Sequence, residues 1–188
     1  KKFHVIGLSN LELKRHHEVI TKFYQKKFDD WYDIIDYNDE ELLEFVRSLN
    51  LDILIDLNGF TFGNRLNIFA ARSAKKQIGW CGYNNSLGIK NMDYLIADKN
   101  LIKKDEEKYY KEKIIYMPKI WNAMSKPENL PKINDLPFKK NDIFKFGSFN
   151  SFKKISDDVI KVWSKIINNS NCELYLKNSG GYNKEIYD

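Results

Sequence analysis

The chain is poor in the residues that build cross-links and metal centres: two cysteines, three histidines and four prolines among 188 residues. Cys81 and Cys172 lie far apart in unrelated contexts, which excludes a disulfide scaffold and favours a reducing compartment, the cytoplasm. No Cys or His spacing matches a ligand set. His4, His16 and His17 gather near the start, and His16-His17 beside Lys14-Arg15 reads as a solvated face, so no metal is expected. No run of about 18 apolar residues exists, so no membrane helix is expected. No charged-then-apolar leader opens the chain. The first residue is Lys, as expected of a trimmed chain or a fragment. Charge of one sign is not concentrated either. Lys and Arg number 31 against 26 Asp and Glu, a net +5, scattered as pairs such as Lys26-Lys27 and Lys139-Lys140. A nucleic-acid groove needs clustered charge beside exposed aromatics, so the scatter argues against that partner.

What is present is ample core material, 43% hydrophobic, in an alternating pattern. Residues 3–8 read as a buried strand, and 12–28 as partly helical with Val19, Ile20, Phe23 and Tyr24 on one face. A second strand is expected over 31–37. Asn38 then caps a helix over 39–49 whose first turn holds Asp39, Glu40 and Glu41; Leu42, Leu43, Phe45, Val46 and Leu49 form its buried stripe. Residues 51–57 predict a strand buried on both faces, typical of a parallel sheet. A short helix over 64–72 and strands over 77–80, 94–97 and 113–117 follow. Residues 119–142, with three prolines and little periodicity, read as a linker. A fresh unit begins at Ile143: a strand over 144–149, a loop over 150–154, and a helix over 157–168 capped by Ser156 with Val159, Ile160, Val162, Trp163, Ile166 and Ile167 facing its core. A strand over 172–176 completes it. Buried strands alternating with helices argue an α/β fold, and the last unit is too short to bury its own sheet.

Several collinear blocks carry a resemblance. Asp52-Ile-Leu-Ile-Asp-Leu-Asn-Gly-Phe-Thr61, Gly63-Asn-Arg65 and Phe69-Ala-Ala-Arg72 resemble the DILVDLxGxT…GxR…FAxR signature of the O-linked N-acetylglucosamine transferase (SPINDLY-like) family. Gln77-Ile-Gly-Trp-Cys-Gly-Tyr83, Met92-Asp-Tyr94…Asp98, Tyr110-Lys-Glu112, Tyr116-Met-Pro118 and Phe146-Gly-Ser-Phe-Asn150…Lys154 resemble its later blocks, in order. The resemblance implies an inverting glycosyltransferase of the two-domain GT-B type with Rossmann-like parallel sheets, incomplete at both ends. Residues 1–118 then form the later part of the first domain, 119–142 the linker and 143–188 the start of the second. It further implies a UDP-sugar donor, UDP-N-acetylglucosamine, bound without a metal or cofactor, and transfer to Ser or Thr of an acceptor protein. Tetratricopeptide repeats often precede this catalytic region.

Carried over residue by residue, the resemblance places Lys154 on the donor diphosphate with Ser151 and Asn150. A fixed ammonium stabilises the charge gained by departing UDP, and the loop enters a helix N-terminus, which suits phosphate. Cys81, Gly82, Tyr83 and Asn84 align with the corner that approaches the donor sugar. There Gly82 permits close backbone approach, while Cys81 and Tyr83 read as core packing. Asn58, Thr61 and Arg65 form a corner on the acceptor side. The family's Asp/His-containing catalytic motif is expected before residue 1 and its late nucleotide-holding motif after residue 188, so no catalytic residue is assigned. Departures from the pattern are Asn84 for proline, Asn85-Ser86-Leu87-Gly88 for the Gly-Thr-Thr-Gly tail, Ser73 for proline and Phe60 for His or Tyr. These are expected to loosen the corner. They motivate an alternative, a degenerate non-catalytic module that keeps the α/β scaffold and binds a protein partner.

Overall fold

The computed structural model describes residues 2–11, 18–122, 130–136 and 143–177. His16, His17, the start of the expected first helix and the Gly180-Gly181 pair lie outside them, as do 123–129 and 137–142 of the expected linker. The chain divides into two compact units, Lys1–Ser125 and Lys126–Asp188.

In the first unit β1 (Ile6–Ser9), α1 (Glu18–Gln25), β2 (Asp30–Asp33), α2 (Asp39–Ser48), β3 (Ile53–Asp56), α3 (Leu66–Ala70), β4 (Lys76–Gly79), β5 (Tyr94–Ala97) and β6 (Lys113–Tyr116) follow one another. All pairings are parallel, in two sheets of order β1-β2 and β3-β4-β5-β6. α2 begins where its cap predicts. Asn38 Oδ1 accepts from the amides of Glu40 and Glu41, both at 2.9 Å, and Glu41 returns a carboxylate oxygen to the Asn38 amide at 3.0 Å, a complete capping box. The helix stops at Asn50, whose φ of 46° is the left-handed conformation that Asn tolerates after a C-cap.

The core of this unit joins Leu42 and Val46 of α2, Leu54 of β3, and Leu66, Ile68 and Phe69 of α3 with Leu87 and Met92. Leu95, Ala97 and Ile102 form a second cluster. One expectation fails here, and one apolar face is left uncovered. β3 is buried on one face only: Leu54 and Asp56 are buried while Ile53 and Ile55 are 52% and 43% exposed, because α2 and α3 cover one side and no described element covers the other. α1 turns its apolar residues outward. Val19, Ile20, Phe23 and Tyr24 are all exposed, and Thr21 takes the buried position.

The second unit is β7 (Phe144–Ser148), a 3-10 turn (Phe152–Lys154), α4 (Asp157–Asn168) and β8 (Cys172–Leu176), with β7 and β8 parallel. Ser156 caps α4 through the Val159 amide. No α4 residue is fully buried. Val159, Trp163 and Ile167, one turn apart, are half-buried, whereas Ile160, Val162 and Ile166 of the expected core stripe are exposed. One helix on a two-stranded sheet covers only one line of side chains.

Candidate functional site

The carboxyl ends of β3 and β4 carry two corners, the side on which open α/β sheets place ligands. Residues 57–62 make the first. Asp56, buried at the end of β3, accepts from the Asn58 amide at 3.1 Å and the Gly59 amide at 2.8 Å. Burial raises its pKa, and the two amides act against that rise. Thr61 Oγ1 lies 2.6 Å from Asn58 Oδ1 and 2.8 Å from Asn58 O, so the expected Asn58 and Thr61 do meet, in a closed turn.

The second corner, 80–84, is locked onto the first. A Cβ on Gly82 would stand 2.0 Å from the Leu57 carbonyl oxygen, and one on Gly59 2.0 Å from Tyr83 Cβ. Gly82 thus serves a close approach, but of protein backbone to protein backbone. Tyr83 packs on the main core and against Phe60, edge to face at 5.4 Å. Cys81 departs from the packing expectation: it is exposed and held at φ 72°. Asn84 is exposed, and its carbonyl accepts from the Tyr110 hydroxyl at 3.4 Å.

The altered tail after this corner is anchored, not loosened. The buried carboxylate of Glu112 accepts from Ser86 Oγ at 2.7 Å and from the Leu87 amide at 2.8 Å. Leu87 enters the core. Ser73, another departure, is buried and bonded to Gln77.

Arg65 is engaged within the protein. Its guanidinium holds the 34–39 turn, pairing with Asp39 at 3.0 Å and donating to the carbonyls of Ile34 and Tyr37. Other residues of the quoted motifs brace the opposite, amino ends of the strands. Gln77 is fully buried; its Oε1 accepts from the Ser73 amide and its Nε2 donates to the Phe69 and Asn91 carbonyls. Arg72 forks onto Asp93 at 2.7 and 3.1 Å. That bond holds the Asp93 carboxyl below the usual carboxylate range, assisted by the Gln77 amide and opposed by partial burial. Asp98 ends β5 by accepting from Asn100, Leu101 and Trp121 amides. Burial opposes its ionisation, and the three amides outweigh it to lower its pKa.

In the second unit Asn150, Ser151 and Lys154 share the turn between β7 and α4, all exposed. The α4 N-terminus itself already carries Asp157 and Asp158 in its first turn, which satisfy its dipole and repel an anion. Asp56, Gln77, Asp93 and Glu112 build the site although motif matching alone does not single them out for it. Asp56 had a signal, being a carboxylate two positions from Leu54 and so on the same strand face as the core.

Comparison with known proteins agrees with this arrangement of blocks. The sequence profile of glycosyl transferase family 41 matches residues 26–135. The chain is similar to the probable UDP-N-acetylglucosamine–peptide N-acetylglucosaminyltransferase SPINDLY of Eustoma exaltatum subsp. russellianum, 32% identical over 142 residues, covering 76% of this chain and 16% of that protein. It is 25% identical over 152 residues to the probable transferase SEC of Arabidopsis thaliana, with the same coverage of each. Among solved structures, the K341M mutant of the Thermobaculum terrenum O-GlcNAc transferase superposes with a TM-score of 0.80 at 28% identity, covering 93% of this chain and 32% of that one. The chain thus spans about a sixth of the length of the curated relatives it matches.

Proposed function

The chain belongs to glycosyl transferase family 41, and from that membership we propose that the intact protein is an inverting protein O-glycosyltransferase. The donor is UDP-N-acetylglucosamine and the acceptor a Ser or Thr hydroxyl of a protein. The observation that supports this best is the mutual lock of the 57–62 and 80–84 corners, built at the carboxyl ends of β3 and β4 from the blocks that match the family.

In this reading Cys81 to Asn84 present the donor-sugar side, and Asn58 and Thr61 shape the neighbouring corner. Lys154, with Asn150 and Ser151, meets the diphosphate. As the acceptor oxygen bonds to the anomeric carbon, the bond to UDP breaks and its electron pair leaves with the phosphate. A positioned ammonium stabilises that charge without a metal. We assign no base within residues 1–188. Two free cysteines support a cytoplasmic setting, and tetratricopeptide repeats outside these residues would supply acceptor recognition. The anchored tail, held by Glu112, favours this reading over a degenerate module.

UDP titration calorimetry on the intact protein and on Lys154→Ala tests it. A charge-assisted contact contributes roughly 1.5–3 kcal/mol, so the variant should bind at least about tenfold more weakly. Equal affinity would remove Lys154 from the diphosphate. An intact protein that neither binds UDP nor transfers the sugar would return the chain to the partner-binding module.

A further inference from the structure

Beyond β6 the chain doubles back over its own sheet. The Met117 amide bonds the Ala97 carbonyl at 2.8 Å, still beside β5. At Trp121 both main-chain groups are then held. The Trp121 amide donates to Asp98 Oδ2 at 2.8 Å, and its carbonyl accepts from the Trp80 indole Nε1 at 2.7 Å. Asp98 follows β5 and Trp80 follows β4. Residues 117–121 therefore form a strap that runs from β6 across the carboxyl end of β5 to that of β4, the end at which open α/β sheets take ligands.

The strap is exposed from Met117 to Ile120 and becomes half-buried at Trp121. Asp98 is 4% exposed, and its two oxygens divide their work. Oδ1 accepts from the Asn100 and Leu101 amides, and Oδ2 from Trp121. A bond to an ionised carboxylate is of the stronger kind, and shelter from water strengthens it. Because the grip takes the backbone of Trp121, Trp80 and Asp98 set it and the Trp121 side chain does not.

The far side of the grip ends in a strained turn. The Trp80 carbonyl accepts from the Gly82 amide at 2.9 Å, an i to i+2 bond that closes a turn on Cys81, whose φ is 72°. That is the rarer, strained form of the γ-turn. Strained backbone persists only where its surroundings over-determine it. On one side of Cys81, Gly82 sits against the Leu57 carbonyl. On the other, the Trp80 amide bonds the Asp56 carbonyl at 2.8 Å and its indole is tied to the strap. The strap is thus one of the constraints that keep the turn.

We propose that Trp80 and Asp98 are positioning residues of the transferase: by gripping Trp121 they bind the first residues of the expected linker to the 80–84 corner and hold its Cys81 turn in the shape that receives the donor sugar. Neither residue has to touch the donor; both act through Trp121 and the corner. This role rests on the reading of 80–84 as the donor-sugar corner, whereas the grip itself does not.

Two variants of the intact protein test it. Trp80→Phe keeps an aromatic ring and removes the indole N–H. Asp98→Asn keeps one acceptor for the Asn100 and Leu101 amides and turns an amino group on the Trp121 amide. In the wild type the Trp121 amide should exchange slowly with deuterium, and in each variant at least about fivefold faster. The Leu54 and Ile78 amides, paired within β3 and β4, should be slow throughout; where one variant loses that protection, the other decides. A damaged fold weakens every ligand, but a displaced corner weakens only the ligand that carries the sugar. UDP-N-acetylglucosamine should bind each variant about fivefold more weakly than the wild type, and UDP should bind all alike. Equal weakening of both ligands, or of neither, in variants whose Trp121 amide is freed would overturn the proposal. So would a Trp121 amide that exchanges at the unstructured rate in the wild type, or one that stays protected in both variants. A wild type that binds neither ligand fails the transferase reading itself, and this role with it, whatever the Trp121 exchange shows.

Discussion

Gly59 and Gly82 are positions where a single methyl group decides whether two corners meet. A Cβ at residue 82 would fall 2.0 Å from the Leu57 oxygen, against backbone that no side-chain rotation relieves. Gly82→Ala should cost about 1–3 kcal/mol, as overpacking does, seen as a lower urea midpoint with an unchanged slope. The neighbouring Cys81 tests the converse. It holds φ 72° with an exposed thiol, and left-handed backbone costs an L residue about 1–2 kcal/mol. Cys81→Gly should therefore stabilise by a little under that, offset by added chain entropy, and a loss of stability would show that the thiol makes a contact of its own. The Arg72–Asp93 fork has a pH signature. The folded pKa of Asp93 is depressed, so its contribution is full above the ordinary carboxylate range and is lost as pH falls through the lowered value. Asp93→Asn should cost about 1–2 kcal/mol at neutral pH. It should also flatten the acid limb of the stability profile, and an unchanged limb would count against the fork.

At the scale of elements, local signals and tertiary cover act separately. α2 is specified twice, by its capping box and by an apolar stripe with Leu42 and Val46 fully buried. Asn38→Ala removes the acceptor of two amides and should cost about 1 kcal/mol, measured by thermal unfolding. α4 has a single-bond Ser156 cap and an apolar stripe, yet Ile160, Val162 and Ile166 stay exposed. Periodicity states that a face is apolar; it does not supply the partner that covers it. α1 makes the same point, with its apolar residues outward and Thr21 inward.

At the scale of the whole molecule, the uncovered surfaces share a direction of explanation. Ile53, Ile55 and Leu57 of β3 and Val19 and Phe23 of α1 in the first unit, and Ile160 and Val162 of α4 in the second, are all exposed, and apolar faces left to water favour association. Residues 1–188 alone should bind a hydrophobic dye and self-associate, and the intact protein should do neither. Weak dye binding by the short chain would mean that these faces find cover within it.

The linear order of residues was enough for the parallel α/β character, for the starts of α2 and α4, for the positions of β5 and β8, and for the family. These depend on caps, apolar alternation and contiguous motifs, which are local properties of a chain. It did not decide what the motif residues do. Arg65, Arg72 and Gln77 read as site residues or signature letters, and the fold makes each a brace because their partners, Asp39, Asp93 and Phe69 among them, arrive from other elements. Nor did it decide that Ser86 and Leu87 are anchored, since Glu112 reaches them from beyond β5. It also could not foresee that β3 has a bare face and an open edge. Burial is a property of a surface and its neighbours together, and only the tertiary arrangement places neighbours.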